Sequence, residues 1–249
     1  MNKLSKEQKK QDNQYEFPYH YVSKFRTDFT QTFNDPWGIN YASTIEFIID
    51  QLRKENFETL LDIGCGDGRL TKEILFDLPN KNIIGVDYSE RAISLAKALS
   101  PEARYVCGDI ITSNIVEADV CTLIEVFEHI PPETSNDFVA GVSRQLKKGG
   151  VLLLTVPHQN IPLIEKHYRH FDTDLLFSCF SNDFNIVKIK PFEQISLMRN
   201  VINRLLTNRF FILNSRKLKN YLYKYYKEKL FDATSENLCQ RLFMKAIKK

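Results

Sequence analysis

One short stretch, Leu61 to Leu70, constrains the fold more than any other part of the chain. It reads LDIGCGDGRL, which is an apolar run, three closely spaced glycines and the start of an amphipathic helix. Glycine tolerates positive φ angles and has no Cβ, so the backbone can turn sharply and approach a ligand. A second apolar run, NIIGVD, ends at Asp87. A strand, a glycine turn, a helix and a strand that ends in a carboxylate predict half of a nucleoside-binding α/β sheet.

The spacing of the glycines narrows the kind of ligand. Dinucleotide sites carry G-x-G-x-x-G, whereas Gly64, Gly66 and Gly68 form G-x-G-x-G and Arg69 stands at the dinucleotide position. An acidic residue, Asp62, also lies inside the predicted strand just before the turn. This D-x-G-x-G-x-G pattern resembles motif I of the class I S-adenosylmethionine (SAM) dependent methyltransferases. The resemblance makes SAM the expected cofactor and disfavours a nicotinamide dehydrogenase.

The same resemblance implies roles for the residues around the loop. The glycine loop would lie against the methionine part of SAM, with Asp62 near the amino acid end of the cofactor. Asp87 can accept two hydrogen bonds from a ribose diol, and a residue in CGDI, at the end of the third strand, would meet the adenine amino group. The expected cofactor-binding residues are Asp62, Gly64, Cys65, Gly66, Gly68, Asp87, Tyr88, Asp109, Ile110 and Glu125.

Helices and strands alternate along most of the chain. This order predicts a doubly wound, mostly parallel α/β sheet with helices on both faces. The resemblance, which spans about Thr59 to Phe177, implies a seven-stranded Rossmann-like sheet whose seventh strand is antiparallel. A helix over Asn136–Lys147 is predicted to end at Gly149 and Gly150. The other predicted elements are a helix over Asn40–Lys54 and strands at Arg104–Cys107, Val120–Ile124, Val151–Val156, Phe184–Ile189 and Leu242–Ile247.

Residues 195–237 separate the last two predicted strands and are expected to form a basic helical insertion of two or three helices. They hold nine Lys/Arg and three Asp/Glu, a net +6 in a chain whose total is +3, so the rest sums to −3. Tyrosines interleave with lysines there. We expect this surface to meet an anionic partner: a phosphorylated or nucleotide-linked substrate, a lipid headgroup or, as the weaker candidate, RNA. The alternative is a solvated helix face whose tyrosines pack on the body of the protein.

The remaining composition is typical of one enlarged α/β domain, with 43% hydrophobic and 26% charged residues among 249. No apolar run approaches the roughly 18 residues of a transmembrane helix, although residues 195–237 leave peripheral membrane contact open. Residues 1–14 are expected to be a disordered polar tail without a targeting signal, and residues 15–249 the methyltransferase domain. Five cysteines without a C-x-x-C pair indicate free thiols and a cytoplasmic location. The oligomeric state stays open.

Histidines supply candidates for a catalytic base. A hydroxyl acceptor must lose a proton during methyl transfer, and an imidazole with a near-neutral pKa suits that task. His129 and His158 follow the fourth and fifth predicted strands, while His170 lies in KHYRHFD. His129 is the first candidate for the base and His170 the second, and Glu125 beside the cofactor completes the predicted catalytic set. The alternative for each histidine is a structural or exposed role.

A metal site is a second interpretation of the same region. Glu125, Glu128 and His129 have the spacing i, i+3, i+4 and would share one face of a helical turn. Two carboxylates and an imidazole could hold a divalent metal, with a later histidine as fourth ligand, and the metal would polarise a diol or catechol acceptor. Small-RNA 3′-end 2′-O-methyltransferases use an E-x-x-E-H motif in this way. The motif also occurs in relatives for which no metal is inferred, and we favour that interpretation.

An aromatic segment from Tyr15 to Phe25 precedes the first core helix. By analogy with many of these enzymes, Tyr19, His20 and Tyr21 would close over the pocket and exclude water. The alternative is a packing segment that holds the N-terminus to the body of the protein.

These features predict an enzyme that transfers a methyl group from SAM to a hydroxyl of a small molecule. The stretch LIEVFEHIPPE resembles motifs of small-molecule methyltransferases, including the ubiquinone-pathway O-methyltransferases. The basic insertion suggests an anionic, glycan-linked or lipid-linked acceptor. An RNA ribose 2′-O-methyltransferase is the alternative within the enzyme class, and a SAM-binding module without turnover is the alternative outside it. The sequence leaves O-methylation versus N- or C-methylation open.

Overall fold

A seven-stranded sheet organises the chain. The computed structural model describes residues 6–13, 15, 38–207, 210–211, 213 and 215–249. The strands are β1 (Thr59–Ile63), β2 (Asn82–Asp87), β3 (Arg104–Cys107), β4 (Ala118–Ile124), β5 (Leu146–Pro157), β6 (Phe184–Gln194) and β7 (Cys239–Lys248). The helices are α1 (Lys6–Asn13), α2 (Gly38–Leu52), α3 (Arg69–Asp77), α4 (Glu90–Leu99), α5 (Ser135–Arg144), α6 (Thr173–Phe180), α7 (Leu197–Leu206) and α8 (Arg216–Lys229).

The strand order is β3-β2-β1-β4-β5-β7-β6. Strands β1 to β5 are parallel, and β7 pairs antiparallel with both β5 and β6. The predicted doubly wound, mostly parallel sheet with an antiparallel seventh strand is therefore confirmed. The order reverses between β1 and β4, which lie side by side. In such sheets ligands bind beyond the carboxyl ends of the strands at this switch point.

Buried side chains fill the space on both faces of the sheet. One cluster joins α2 to α8 through residues that include Ile45, Ile48 and Tyr226. The other cluster includes Phe127 and Phe180, whose ring centroids lie 4.9 Å apart. Helix α4 begins at a serine cap, because the Ser89 side chain accepts a hydrogen bond from the amide of Ala92. These two layers fix the carboxyl ends of the central strands relative to each other.

The end of α5 differs from the prediction. The helix stops at Arg144, and residues 146–150 already belong to β5, so Gly149 and Gly150 do not end the helix. Pairing explains the difference, because Leu146 is opposite Ala118 before a register shift lets Val151 pair with Val120. Gly149 has a φ of 76° at this irregularity. Tertiary pairing with β4 therefore overrides the local helix-stop signal.

Two other regions bear on the predicted domain layout. Residues 6–13, expected to belong to a disordered tail, form α1, and tertiary contacts described below account for the order. Residues 195–237 contain α7 and α8 between β6 and β7, as expected for a helical insertion. Within the described parts of the chain, no helix combines the length and apolar character that crossing a bilayer requires.

Candidate cofactor and acceptor site

A cavity of about 1200 Å³ lies at the carboxyl ends of β1, β2 and β4. Helix α2 and helix α1 form part of its wall. The cavity brings together most of the residues that the sequence analysis singled out. Those that line it are Asp62, Gly64, Cys65, Asp87, Tyr88, Asp109, Ile110, Glu125, Glu128 and His129, and His167 also lines it. Gly66, Gly68 and His170 belong to the surrounding structure and are not among its lining residues.

The glycine loop is a tight turn that only small residues fit. Gly64 has a φ of 71°, and a Cβ built on it would lie 2.4 Å from Cγ2 of Val126. Gly68 has a φ of 78°, and its Cβ would lie 2.5 Å from the Tyr105 hydroxyl. Residues other than glycine rarely adopt this left-handed backbone conformation. The two glycines therefore bring the start of α3 close to the ends of the central strands.

The carboxylate of Asp87 connects the loop to the end of β2. Its Oδ2 accepts a hydrogen bond from the Gly66 amide and its Oδ1 accepts one from the Ser89 amide, both at 2.9 Å. These two amides fix the orientation of the carboxylate at the cavity wall. A carboxylate has about four acceptor positions, so this geometry suits a group that also meets a diol.

Asp62 has a structural role that the sequence did not show. Its carboxylate accepts hydrogen bonds from the hydroxyls of Thr71 at 2.7 Å and Thr122 at 2.8 Å. It thereby joins β1 to α3 and β4 beneath the loop. Burial raises the pKa of Asp62 to about 6, and the two threonine hydroxyls oppose that increase.

Asp109 and Ile110 follow β3 at the other side of the cavity. The Asp109 carboxylate accepts a hydrogen bond from the Ile111 amide at 2.9 Å, which turns the chain after β3. Ile110 is buried and contributes an apolar surface to the cavity. Asp109 therefore holds a turn of the chain, and both residues line the cavity.

Glu125 belongs to a charge network that the sequence analysis missed. With a φ of 56°, it accepts hydrogen bonds from the Thr155 hydroxyl at 2.9 Å and from Nε of Arg241 at 2.8 Å. Arg241 also donates to Glu193, a buried carboxylate that pairs with Arg199. The two carboxylates hold the pKa of Arg241 further above its usual value. Glu193 and Arg241 lie in strands that carry several other charged residues, so no pattern in the sequence singled them out.

Three histidines in contact run from the cavity lining, at His129 and His167, into the surrounding structure at His170. The rings of His129 and His167 meet edge to face, with centroids 4.8 Å apart. Nδ1 of His129 lies 2.9 Å from the carbonyl of Lys166, and Nδ1 of His170 lies 3.1 Å from the carbonyl of Ile161. Since a carbonyl only accepts, each of these Nδ1 atoms carries the proton.

The tautomers of all three rings follow from this geometry. Nε2 of neutral His170 is an acceptor, and it lies 2.8 Å from Nδ1 of His167. Nδ1 of His167 therefore donates, which leaves Nε2 of both His129 and His167 as proton acceptors. Burial lowers the pKa of His129 to about 4 and that of His167 to about 2. Both rings are neutral bases at neutral pH.

A third group completes this cluster. Glu128 is buried, and burial together with the Glu125 charge raises its pKa well above the usual value. Within the described residues, its Oε2 has no hydrogen-bond partner. Glu128, His129 and His167 each offer one possible metal-ligand atom, a carboxylate oxygen or an imidazole nitrogen, and these three atoms lie within 4.8 Å of one another. We name these three residues the Glu–His–His cluster.

The structure corrects the predicted metal-ligand set. Residues 127–129 form a turn of 3₁₀ helix, so Glu125 does not share a face with Glu128 and His129 and instead meets Arg241. His167 takes its place in the cluster. His170, the second candidate for the base, lies behind His167, and His158 bonds to Glu236 at 3.1 Å, away from the cavity lining.

Helix α1 lies across the cavity. Glu7, Gln8 and Gln11 line it, and the Asp12 carboxylate accepts a hydrogen bond from the Ser89 hydroxyl. The Tyr168 hydroxyl donates to Glu7 at 3.1 Å. Contacts with both the cofactor side and the histidine side explain why this polar segment is ordered. The predicted lid residues Tyr19, His20 and Tyr21 lie outside the described residues.

A parallel sheet with a cavity at its switch point, a glycine turn and a carboxylate at the end of the neighbouring strand defines an α/β protein that binds a nucleoside-containing cofactor. A family profile described as "Methyltransferase domain" matches residues 61–154. This segment is about two fifths of the chain, and over it the chain is similar to the SAM-dependent methyltransferases. The Asp87 carboxylate, oriented by the Gly66 and Ser89 amides at the cavity wall, fits the ribose diol of SAM.

Curated relatives with different named activities resemble the chain. A tRNA N(3)-methylcytidine methyltransferase, trm140 of Schizosaccharomyces pombe, is 34% identical over 119 residues, 43% of this chain and 39% of the relative. A carboxy-S-adenosyl-L-methionine synthase of Shewanella putrefaciens is 27% identical over 161 residues, 58% and 66% of the two chains. A ubiquinone biosynthesis O-methyltransferase of Hydrogenovibrio crunogenus is 28% identical over 123 residues, 47% and 49%. The chain thus spans less than two thirds of each relative.

Solved structures share the fold at low sequence identity. The [4+2]-cyclase SpnF has a TM-score of 0.62 and 15% identity, over 98% of this chain and 97% of the other. A TehB-like SAM-dependent methyltransferase from Corynebacterium glutamicum has a TM-score of 0.53 and 16% identity, over 82% and 88%. At this identity the similarity supports the fold alone.

Proposed function

We propose that this chain binds SAM in the cavity and transfers its methyl group to a hydroxyl of a small molecule. One observation carries the proposal: a single cavity joins the glycine loop and Asp87 to two neutral imidazoles whose Nε2 atoms are proton acceptors. A cofactor half-site and a base therefore face the same space. A methyl transfer to oxygen requires both.

The cofactor side of the cavity would hold SAM through groups that are already oriented. When bound, SAM supplies a methyl group activated by its sulfonium. Asp87 would accept hydrogen bonds from the ribose hydroxyls, and the Gly66 and Ser89 amides hold its carboxylate in a fixed orientation. Ile110 would supply an apolar surface for the adenine ring, and Asp109 would accept a hydrogen bond from the adenine amino group. Glu125 would form the part of the cavity wall between the cofactor and the acceptor, and Arg241 and Thr155 hold its carboxylate in place.

The histidine side would hold the acceptor and take its proton. Nε2 of His129 accepts the hydroxyl proton, because Nδ1 already donates to the Lys166 carbonyl. The lowered pKa of His129, caused by burial, keeps the ring neutral before the acceptor binds. Correct alignment of acceptor and donor supplies much of the rate in such displacements. Glu128, His167 and His170 are positioning residues in this proposal.

The cofactor assignment is tested by calorimetric titration of the full chain with SAM and with NAD. We expect saturable SAM binding and none with NAD. Asp87→Asn should weaken SAM binding by roughly 10- to 100-fold, the size expected when hydrogen bonds to a charged acceptor are lost. Asp119→Asn is the matched control, since Asp119 also accepts two backbone amides but lies outside the cavity lining. Binding of NAD in preference to SAM would overturn the assignment.

The acceptor is tested by incubating the protein with methyl-labelled SAM and, in separate arms, a small-molecule extract or total RNA. We expect label in the small-molecule arm, in a product whose methyl group resists treatments that hydrolyse esters, as an ether does. Label in RNA would favour the ribose or base methyltransferase alternative, which the similarity to trm140 supports. Saturable SAM binding without turnover in either arm would favour a non-catalytic SAM-binding module.

The Glu–His–His cluster supports a metal-assisted version of the same reaction. A carboxylate and two imidazole nitrogens form a ligand set suited to a divalent transition metal. Glu128 Oε2, which lacks a partner within the described structure, would then be a ligand. Elemental analysis of protein purified without chelator tests this version. No bound divalent ion, together with turnover that EDTA leaves unchanged, would remove it and leave His129 as the base.

A further inference from the structure

Exposed hydrophobic residues are concentrated in the helical insertion. Of the 15 large hydrophobic residues that are exposed among the described residues, eight lie between positions 197 and 221. That segment is about one tenth of the chain, so the distribution is a patch and not the scatter expected of an ordinary surface. The patch comprises Leu197, Met198, Val201, Leu205, Phe210, Phe211, Leu218 and Tyr221, and we name it the insertion patch.

The apolar residues of helix α7 extend around more of the helix than the side that packs against the protein core. Ile202 and Leu206 are buried and belong to the cluster that includes α2. Leu197, Met198 and Val201 lie on the neighbouring side, and Leu197 is 85% exposed. At 3.6 residues per turn, these three exposed residues fall within about one quarter of the helix circumference. One side of α7 therefore holds the helix to the protein while the next side presents aliphatic groups outward.

Helix α8 adds positive charge beside this apolar surface. Leu222 and Tyr226 are buried, whereas Lys217, Lys224 and Tyr221 lie on the exposed side. The insertion carries nine basic and three acidic residues. Basic side chains next to exposed aliphatic and aromatic ones are typical of helices that lie in the interface of an anionic bilayer.

We propose that the insertion patch docks the protein peripherally on an anionic lipid bilayer, with the exposed side of α7 inserted among the headgroups. Charge complementarity favours this occupant. A second copy of the chain would bring the same positive surplus to the contact, so repulsion opposes a symmetric dimer through this face. The phosphate backbone of RNA offers no apolar counterpart to Leu197, Met198 and Val201. The proposal does not depend on the proposed methyl transfer.

Docking in this orientation would place the membrane beside the cavity wall. Residues of α7 and α8 pack in the same cluster as α2, and Tyr41, Thr44 and Ile48 of α2 line the cavity. Lys227 of α8 also pairs with Glu46 of α2. Helix α2 therefore contacts both the insertion and the cavity, which suits an acceptor with a lipid-linked or membrane-partitioned part.

Vesicle flotation of the full chain tests the proposal. The probes are vesicles of phosphatidylcholine alone and vesicles in which one third of the lipid is phosphatidylglycerol. We expect binding to the anionic vesicles only, and weaker binding as salt screens the charges. Leu197→Ser/Met198→Ser/Val201→Ser should abolish flotation. Lys217→Glu/Lys224→Glu should reduce the partition coefficient by at least about fivefold for each lysine removed.

Matched variants at other exposed positions provide the controls. Phe177→Ser and Lys148→Glu change exposed residues of α6 and β5 and should float like the unchanged protein. Circular dichroism and thermal melting establish that every variant is folded. No flotation with anionic vesicles, or equal flotation of the triple variant, would overturn the proposal. A dimer in light scattering that the triple variant loses, or RNA binding without vesicle binding, would assign the patch to a different partner.

Discussion

Replacing Gly64 with alanine separates two physical reasons for glycine at the turn between β1 and α3. The first is conformational, because Gly64 has a φ of 71° and a left-handed conformation costs other residues about 1–2 kcal/mol. The second is steric, because the new Cβ would lie 2.4 Å from one methyl of Val126 and 3.0 Å from the other. Overpacking of this kind costs about 1–3 kcal/mol. We expect the free energy of unfolding to fall by about 2–5 kcal/mol in total.

Gly149→Ala is the matched control. Gly149 has a φ of 76°, but nothing lies within 4 Å of an added Cβ, so only the conformational cost of about 1–2 kcal/mol applies. Urea unfolding followed by circular dichroism measures both variants. In Gly64→Ala/Val126→Ala the two closest contacts are removed and only the contact with Cβ of residue 126, at 3.3 Å, remains, giving a coupling of about 1–3 kcal/mol between the two changes. Equal losses for the two glycine variants, or strict additivity with Val126→Ala, would refute this reasoning.

Three further predictions concern charge, catalysis and the N-terminal helix. Burial raises the pKa of Asp62 to about 6 in the folded state, so between about pH 4 and 6 the folded protein binds a proton that the unfolded chain releases. The free energy of unfolding should therefore fall as pH rises through this range. Urea unfolding of Asp62→Asn should show that this pH dependence is lost. His129→Gln should lower turnover by about 10²–10⁴ with SAM affinity retained, whereas His158→Gln, outside the cavity lining, should not; equal losses would contradict a base role. Deleting residues 1–13 should weaken SAM binding about tenfold, the size of about one lost hydrogen bond, because Glu7, Gln8 and Gln11 line the cavity. Unchanged affinity would separate α1 from the site.

Local sequence patterns were sufficient to predict the central half of the fold. The strand that ends at Ile63, the turn at Gly64 and the strand that ends at Asp87 all carry their signals within a few residues of sequence. Glycine at positive φ and alternation of strand with helix are short-range constraints. The cofactor side of the site was predictable for the same reason, since the ends of neighbouring parallel strands meet at one edge of the sheet.

Long-range pairing decided the places where the prediction failed. Gly149 and Gly150 have the composition of a helix stop, yet Leu146 pairs with Ala118 and draws the segment into β5. Helix α1 has no apolar face that would indicate order, but Ser89 and Tyr168, some 80 and 160 residues away, contact its side chains. Neither partner can be identified from the spacing of residues within the segment itself.

The acceptor side of the site shows the same division between local sequence patterns and long-range contacts. The sequence alone determined the sheet, the glycine loop and Asp87, because each depends on residues that are neighbours in the chain. Only the tertiary structure decided that Glu125 turns to Arg241, that His167 joins Glu128 and His129, and that α7 keeps an apolar side exposed. These contacts join residues from separate elements. Their geometry depends on how the layers pack, which no local periodicity encodes.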